Sequence, residues 1–209
     1  MAQGCVDPTM SQRLIQILAL TLCGLSLAAQ EHQPLEKAVE VGEVIRRSLP
    51  ELEGLPVAMT PDWKKPYLMT GDGTGVLVAP ASGLAGMPKL EEGKEVGLGF
   101  LWALKVAPKV KGQVVPESGL WMMDIQNNDS TDSHRLAFLP LTLMKKGKAI
   151  HLRMHGRDKT LVHSVELIEY RRSSQVPIEL DAELKEEHAD LYLHLFGTHE
   201  AVIELGELE

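Results

Sequence analysis

Apolar and polar residues alternate along most of this chain, and the alternation predicts β-strands. The clearest case is the segment 96–106, where six apolar residues share one parity: Val96, Leu98, Phe100, Trp102, Leu104 and Val106. Gly97 and Gly99 leave the other face thin, which indicates the close approach of another backbone or a β-bulge. We therefore predict a strand here with an irregularity at its glycines.

Other short apolar runs are separated by connections rich in Gly, Pro, Asn, Asp and Ser, as expected for strands joined by turns. The runs are "TGVLVAP", "LWMMDI", "RLAFLPLTL", "PIELDAELK", "ADLYLHLF" and "AVIEL". "KAIHLRMH" and "TLVHSVELIEY" read as a hairpin around residues 156–159. Pro140 predicts an edge or a bulge. The pattern favours an antiparallel β-sandwich, with a β-barrel as the alternative.

One segment has helical rather than strand periodicity. Apolar residues recur at helical spacing after Pro34, which suits a first turn, and Pro50 suits the stop. This predicts a single N-terminal α-helix at about 35–48, with one apolar stripe packed on the body of the domain. Gly42 weakens it by about 1 kcal/mol relative to alanine.

Residues 1–29 have the pattern of a signal peptide, since Arg13 precedes the apolar run "LIQILALTLCGLSLAA" and Ala28 and Ala29 suit cleavage before Gln30. The run is short for the roughly 20 residues that span a bilayer, although a retained anchor is the alternative, and translation could start at Met1 or Met10. We expect a single β-rich domain over 30–209, secreted to the periplasm or the extracellular space.

Charge and cysteine usage exclude several functions. The chain has 21 basic and 29 acidic residues and a formal net charge of −8, so an acidic surface should repel nucleic acids and anionic lipids. We predict no nucleic-acid partner and no membrane association after cleavage. Both cysteines, Cys5 and Cys23, lie in the leader, so the mature chain is cysteine-free and has no thiolate chemistry.

His151 and His155 are the first candidates for chemistry. They alternate with apolar residues, which indicates a strand, and four residues along a strand span roughly 13 Å, too far to share one metal ion. A loop at 156–159 would pair 152 with 163 and turn His163 to the other face. We therefore predict no metal or other cofactor, a divalent metal being an alternative that the spacing does not support. His151, Arg153 and His155 should form a polar row open to water, a partner or a ligand.

Tyr192, His194 and Phe196 form the second candidate surface. Residues two apart on a strand lie about 6.6 Å from each other, so these three form one stripe that could bind a ligand or a partner. In the alternative, the stripe is buried in the sandwich or under the helix.

Loops and motifs add little chemistry. Residues 124–134 are rich in oxygen donors but lack the spacing of a calcium loop, and "GDGTG" at 71–75 predicts a β-turn rather than a phosphate loop. No nucleophile elbow or H-E-x-x-H motif occurs. We expect a non-catalytic module with a binding or structural role in the envelope or the extracellular space, its protein or small-molecule partner unknown. The alternatives are a secreted hydrolase that uses His and carboxylate residues, possibly metal-dependent, and a carbohydrate-binding module.

Overall fold

The computed structural model describes residues 31–49, 53–126, 133–174 and 176–208. Within these ranges the chain forms two antiparallel sheets and one α-helix, and the sheets do not close into a barrel. The predicted β-sandwich with one N-terminal helix is therefore confirmed. The predicted leader at 1–29 lies outside the described residues, as do residues 127–132 of the oxygen-rich loop.

The first sheet contains the longer strands. Its order is β1-β2-β3-β4-β8-β9-β10, with β7 also beside β8. The bounds are β1 Glu31–His32, β2 Tyr67–Thr70, β3 Gly75–Pro80, β4 Glu95–Leu104, β7 Trp121–Gln126, β8 Ser133–Lys146, β9 Ala149–His155 and β10 Leu161–Glu166.

The second sheet has the order β12-β13-β14-β5-β6, with β11 also beside β14. The bounds are β5 Val106–Val110, β6 Gln113–Val114, β11 Ile168–Glu169, β12 Ile178–Leu184, β13 Ala189–Leu195 and β14 His199–Glu207. Short 3₁₀ helices occupy Glu117–Gly119 and Arg157–Lys159.

Strand β4 contributes to two separate apolar clusters. A bulge interrupts its pairing with β8 between Gly97 and Gly99, and a Cβ atom on Gly99 would lie 2.4 Å from the carbonyl oxygen of Ala79. Both predicted features of these glycines are thus confirmed. The single parity predicted for this strand is wrong at Leu98, because the bulge turns Leu98 into the core between the sheets while Phe100 packs on the opposite face.

Helix α1, Leu35–Ser48, covers the outer face of the first sheet and has the predicted bounds. Ala38 and Ile45 are buried there with Trp102 and Phe138. The molecule therefore has three layers: the helix, the first sheet and the second sheet. Among the described residues, no helix is long and apolar enough to cross a membrane.

Among the described residues the chain passes between the sheets three times: at a corner after β4, through residues 115–120 from β6 to β7, and at a corner after β10. Lys105 takes a positive φ of 58° between β4 and β5, and Leu167 links β10 to β11. Such bends are how strands switch sheets at the corners of a sandwich. The second corner brings β11 against the start of β14.

Strand β8 changes partner in its middle. Its pairing with β7 ends at Phe138, and its pairing with β9 begins at Leu141. Pro140 lies in the gap between the two partners, next to the β4 bulge, which is the kind of position that the sequence predicted for it.

The hairpin of β9 and β10 has a different register from the predicted one. His155 pairs with Leu161 and Met154 pairs with His163, with an irregularity between residues 161 and 163. The predicted pairing of 152 with 163 is wrong by two residues, one because His155 pairs with residue 161 rather than 160 and one because the bulge adds a residue to β10. His163 nevertheless stays on the face opposite His151 and Arg153.

Candidate functional site

The outer face of the second sheet carries most of the candidate side chains. Leu180, Leu191 and Ile203 point into the core, so the alternate positions of β12, β13 and β14 point outward. We call these nine outward positions the acidic face: Glu179, Asp181, Glu183, Asp190, Tyr192, His194, Glu200, Val202 and Glu204. Six of them are carboxylates, and none is lysine or arginine.

Strand register arranges the acidic face in three rows. Going from β12 to β14, the rows are Glu179, His194 and Glu200; then Asp181, Tyr192 and Val202; then Glu183, Asp190 and Glu204. Neighbouring strands lie about 4.8 Å apart, and like charges directly opposite each other are destabilising. The third row therefore holds three carboxylates in an unfavourable arrangement.

Two basic side chains from outside the nine positions partly neutralise the acidic face. Lys185 Nζ lies 2.6 Å from Glu183 Oε1 and 3.9 Å from Asp190 Oδ2, and Arg172 Nε lies 3.6 Å from Glu179 Oε2. Among the described residues, the other three carboxylates form no ion pair with lysine or arginine. The face therefore keeps an excess of negative charge.

His194 is buried at the edge of the acidic face, with 5% of its surface exposed. Its Nδ1 lies 3.1 Å from Glu200 Oε2, although the contact lacks hydrogen-bond geometry, and its ring stacks on Tyr170 with centroids 5.1 Å apart. Its Nε2 has no hydrogen-bond partner among the described residues. Buried polar atoms are nearly always partnered, so this nitrogen is unusual.

Tyr170 reaches His194 because the chain after β11 is tied to the turn that follows β13. Tyr170 N donates to the Thr198 carbonyl at 2.9 Å, and Arg172 N donates to the Gly197 carbonyl at 3.0 Å. A Cβ atom on Gly197 would lie 2.5 Å from the Arg172 carbonyl oxygen, and its φ is 65°. Glycine is therefore needed here both for the close approach and for the backbone conformation.

Tyr192 occupies the centre of the acidic face and is partly exposed. Its hydroxyl donates to Glu183 Oε2 at 3.1 Å. Desolvation and this bond to a carboxylate raise the pKa of Tyr192, while hydrogen bonds from Lys185 and Tyr192 lower the pKa of Glu183. The tyrosine thus stays neutral beside the ionised Glu183 carboxylate.

Phe196 does not continue the stripe predicted from Tyr192 and His194. Strand β13 ends at Leu195, and Phe196 takes a φ of 55° in the following turn. The change of backbone direction breaks the alternation, and the Phe196 ring packs against the core between the sheets. Tyr170 takes the place beside His194 that the pattern assigned to Phe196.

The predicted row of His151, Arg153 and His155 lies on the first sheet, away from the acidic face. The three residues share one face of β9, and their exposure falls along the strand. His151 is half-buried, while the side chains of Arg153 and His155 are 19% and 3% exposed. His155 is covered because the chain before β7 packs on Gly156, where Trp121 Nε1 donates to the Gly156 carbonyl at 2.7 Å.

Arg153 and His155 join Glu95 and Thr142 in a polar cluster. Arg153 forms an ion pair with Glu95 Oε1. Thr142 Oγ1 donates to Glu95 Oε2 at 2.7 Å and lies 3.0 Å from His155 Nε2, which is itself 3.0 Å from Glu95 Oε2. Three strands, β4, β8 and β9, thus bring together a carboxylate, a hydroxyl, an imidazole and a guanidinium.

This cluster lacks the geometry of a nucleophilic triad. In a triad the hydroxyl contacts one imidazole nitrogen and the carboxylate the other, whereas here both contact His155 Nε2. Thr142 is also 0% exposed, so a substrate does not reach its hydroxyl. Burial lowers the pKa of His155, with Glu95 acting in the opposite direction. The Thr142 hydroxyl and the His155 ring both contact Glu95, and so they hold in place the partly buried ion pair of Glu95 with Arg153.

The described residues form neither a metal site nor a phosphate loop. Within the described ranges, no group of three or more His, Cys, Asp or Glu residues could hold a metal ion. Residues 71–75 form the tight connection of a hairpin between the antiparallel strands β2 and β3, as predicted, and Gly71 N donates to the Thr74 carbonyl across it at 3.0 Å. That loop does not open a helix, so it lacks the feature by which phosphate loops bind anions.

Comparison with protein-family models, with curated proteins and with solved structures finds no match to this chain.

Sequence reasoning overlooked the four residues that contact His155 or His194 from outside their own strands. Glu95 and Thr142 meet His155 only through the strand order β4-β8-β9, which alternation does not reveal. Glu200 meets His194 through the pairing of β13 with β14, and Tyr170 through the corner at residue 167. The sequence signal that could have found Glu200 is the short "GTHE" connection, which predicts a hairpin between these two strands.

Proposed function

We propose that this protein is an exported, non-catalytic β-sandwich module that binds a partner through its acidic face. The observation that carries the proposal is the contrast between the two outer faces of the sandwich. Helix α1 covers much of the first sheet, whereas the second sheet presents Tyr192, the exposed Tyr170 and six carboxylates on its outer side. The signal-peptide pattern at residues 1–29 supports export to the periplasm or the extracellular space.

Tyrosines at the acidic face support a binding role beyond the charge. Tyrosine is enriched at interfaces because its ring buries apolar area while its hydroxyl keeps a hydrogen bond. Tyr170 is 40% exposed, and its neighbour Ile168, which pairs with Glu200 in register, is 54% exposed. Together they give the acidic face an apolar rim.

A secreted hydrolase is the second candidate, because Glu95, Thr142 and His155 come together from different strands. The burial of Thr142 and the shared contact at His155 Nε2 favour a structural role for these groups. Hydrolase chemistry here requires that His155→Gln abolish turnover of an activated ester by the purified protein. Activity that the substitution leaves unchanged removes this candidate.

Site-specific crosslinking tests the binding proposal. Val202, which pairs with Tyr192 in the middle row of the acidic face, is replaced by the photo-reactive p-benzoylphenylalanine in cells of the source organism. The matched control carries the same replacement at Leu35, which is 54% exposed at the start of α1 on the opposite side of the molecule. Adducts are identified by mass spectrometry and reproduced with the purified partner.

The proposal expects one defined adduct at Val202 and none at Leu35. The absence of an adduct at Val202, or the same adducts at both positions, would contradict a binding role for the acidic face.

A further inference from the structure

The negative charge of the acidic face and its apolar rim of Tyr170 and Ile168 indicate which kind of partner it binds. We propose that the acidic face binds a basic polypeptide segment of a partner protein, in extended conformation. This inference rests on the binding role proposed above and adds the chemistry of the ligand.

Charge is the first argument. Six carboxylates face two basic side chains, Lys185 and Arg172, which leaves an excess of four negative charges. Asp181 keeps 50% of its side chain exposed and Glu204 is exposed as well, and neither forms an ion pair with lysine or arginine among the described residues, so both remain available to a partner. Lysine or arginine from a partner would relieve the like-charge repulsion within the third row.

The aromatic and apolar side chains favour a polypeptide over a free cation. Tyr192 is partly exposed and Tyr170 is 40% exposed, so their rings can contact a lysine or arginine side chain, which aromatic rings attract through cation–π contacts. Ile168 adds exposed apolar area that a dissolved ion does not use. In the described ranges, no three His, Cys, Asp or Glu side chains lie close enough together to hold a metal ion.

The unpartnered imidazole is an independent observation that points to a ligand. His194 lies on the acidic face between Glu179 and Glu200, is buried, and has an Nε2 atom without a hydrogen-bond partner in the described chain. A bound segment that displaces the Tyr170 ring from the imidazole can supply that partner, since a peptide group carries both a donor and an acceptor.

Spacing argues for an extended segment. Successive rows of the acidic face are two residues apart along each strand, which is about 6.6 Å. Alternate side chains of an extended peptide repeat at the same distance. A segment that lies along β13 can therefore place a basic side chain over each row.

Binding of fluorescently labelled decalysine to the purified mature chain tests this inference, with decaglutamate as the negative probe. The face variant is Asp181→Asn with Glu204→Gln, two carboxylates without a lysine or arginine partner among the described residues. The control variant is Glu36→Gln with Glu53→Gln, two exposed carboxylates away from the second sheet. Both variants lose the same net charge.

The inference expects decalysine to bind and the face variant to weaken binding by about 2- to 30-fold, because an exposed ion pair contributes about 0.2–1 kcal/mol. The control variant should bind like the wild type, and salt at about 0.5 M should weaken binding further. Urea denaturation confirms that both variants fold.

No binding of decalysine, or equal weakening in both variants, overturns the basic partner. A crosslinked partner at Val202 would then leave the binding role in place with a different ligand chemistry. Decalysine binding without any adduct at Val202 removes the proposed function instead, so the two failures are distinguishable.

Discussion

Glu95→Gln tests whether the cluster around His155 is structural. The substitution keeps the shape of the side chain and an oxygen for the Thr142 hydroxyl, but it removes the charge that pairs with Arg153. Arg153 then remains 19% exposed without its carboxylate.

The expected destabilisation lies between two known limits. Breaking a fully buried ion pair costs about 3–5 kcal/mol, whereas an exposed pair contributes about 0–1 kcal/mol. Glu95 and Arg153 are 21% and 19% exposed, so we expect a loss of about 2–3 kcal/mol. With an m-value of about 2 kcal/mol/M, the urea midpoint should fall by roughly 1–1.5 M.

The assay is urea denaturation, with unfolding monitored by tryptophan fluorescence. Three tryptophans pack in the cluster under α1 and report on its unfolding: Trp63, Trp102 and Trp121. The matched control is Glu91→Gln, which removes an exposed carboxylate 2.6 Å from Lys94 and should cost less than about 1 kcal/mol. If Glu95→Gln costs no more than this control, the cluster does not stabilise the fold and the structural interpretation is refuted.

Two further predictions concern stability. Gly99→Ala should destabilise by about 2 kcal/mol or more, because its Cβ atom would meet the backbone oxygen of Ala79 at 2.4 Å. Gly86→Ala, with nothing within 4 Å, should be near neutral in the same urea assay, and equal effects would contradict the close packing. Burial lowers the pKa of His155, so the unfolded chain binds more protons than the folded one. The contribution of neutral His155 to the free energy of unfolding should be complete above about pH 6.5 and fall as the pH is lowered. His155→Gln should therefore reduce the loss of stability between about pH 7 and pH 5. An unchanged pH profile of stability in this variant would contradict the prediction.

Local patterns predicted the elements that depend on short-range physics. Helical spacing after Pro34 predicted α1, and alternation predicted β4 with its glycine irregularity, because each signal is carried by neighbouring residues. The assignment of Leu98 to a face failed because the bulge that the glycines create shifts the parity by one residue. The bulge in β10 and the longer loop before it moved the pairing of His163 by two residues, which left its face unchanged.

The two sites depended on contacts that sequence alone does not reveal. Glu95 lies 58 residues from Arg153 in the chain. The two side chains meet because their strands, β4 and β9, lie on either side of β8 in the sheet. The alternation in "PIELDAELK" places Glu179, Asp181 and Glu183 on one side of a strand. Their alignment with the carboxylates of β13 and β14 depends on the strand register, which the sequence does not reveal.

Chemical-shift mapping tests the central claim, that the acidic face is the binding surface, most directly. The ¹⁵N-labelled mature chain is titrated with decalysine, and the amide shifts are mapped onto the strands. The account predicts that shifts cluster on β12, β13 and β14 around Tyr192 and Val202, and that α1 is unaffected. Shifts spread evenly over the molecule, or concentrated on α1, would contradict it.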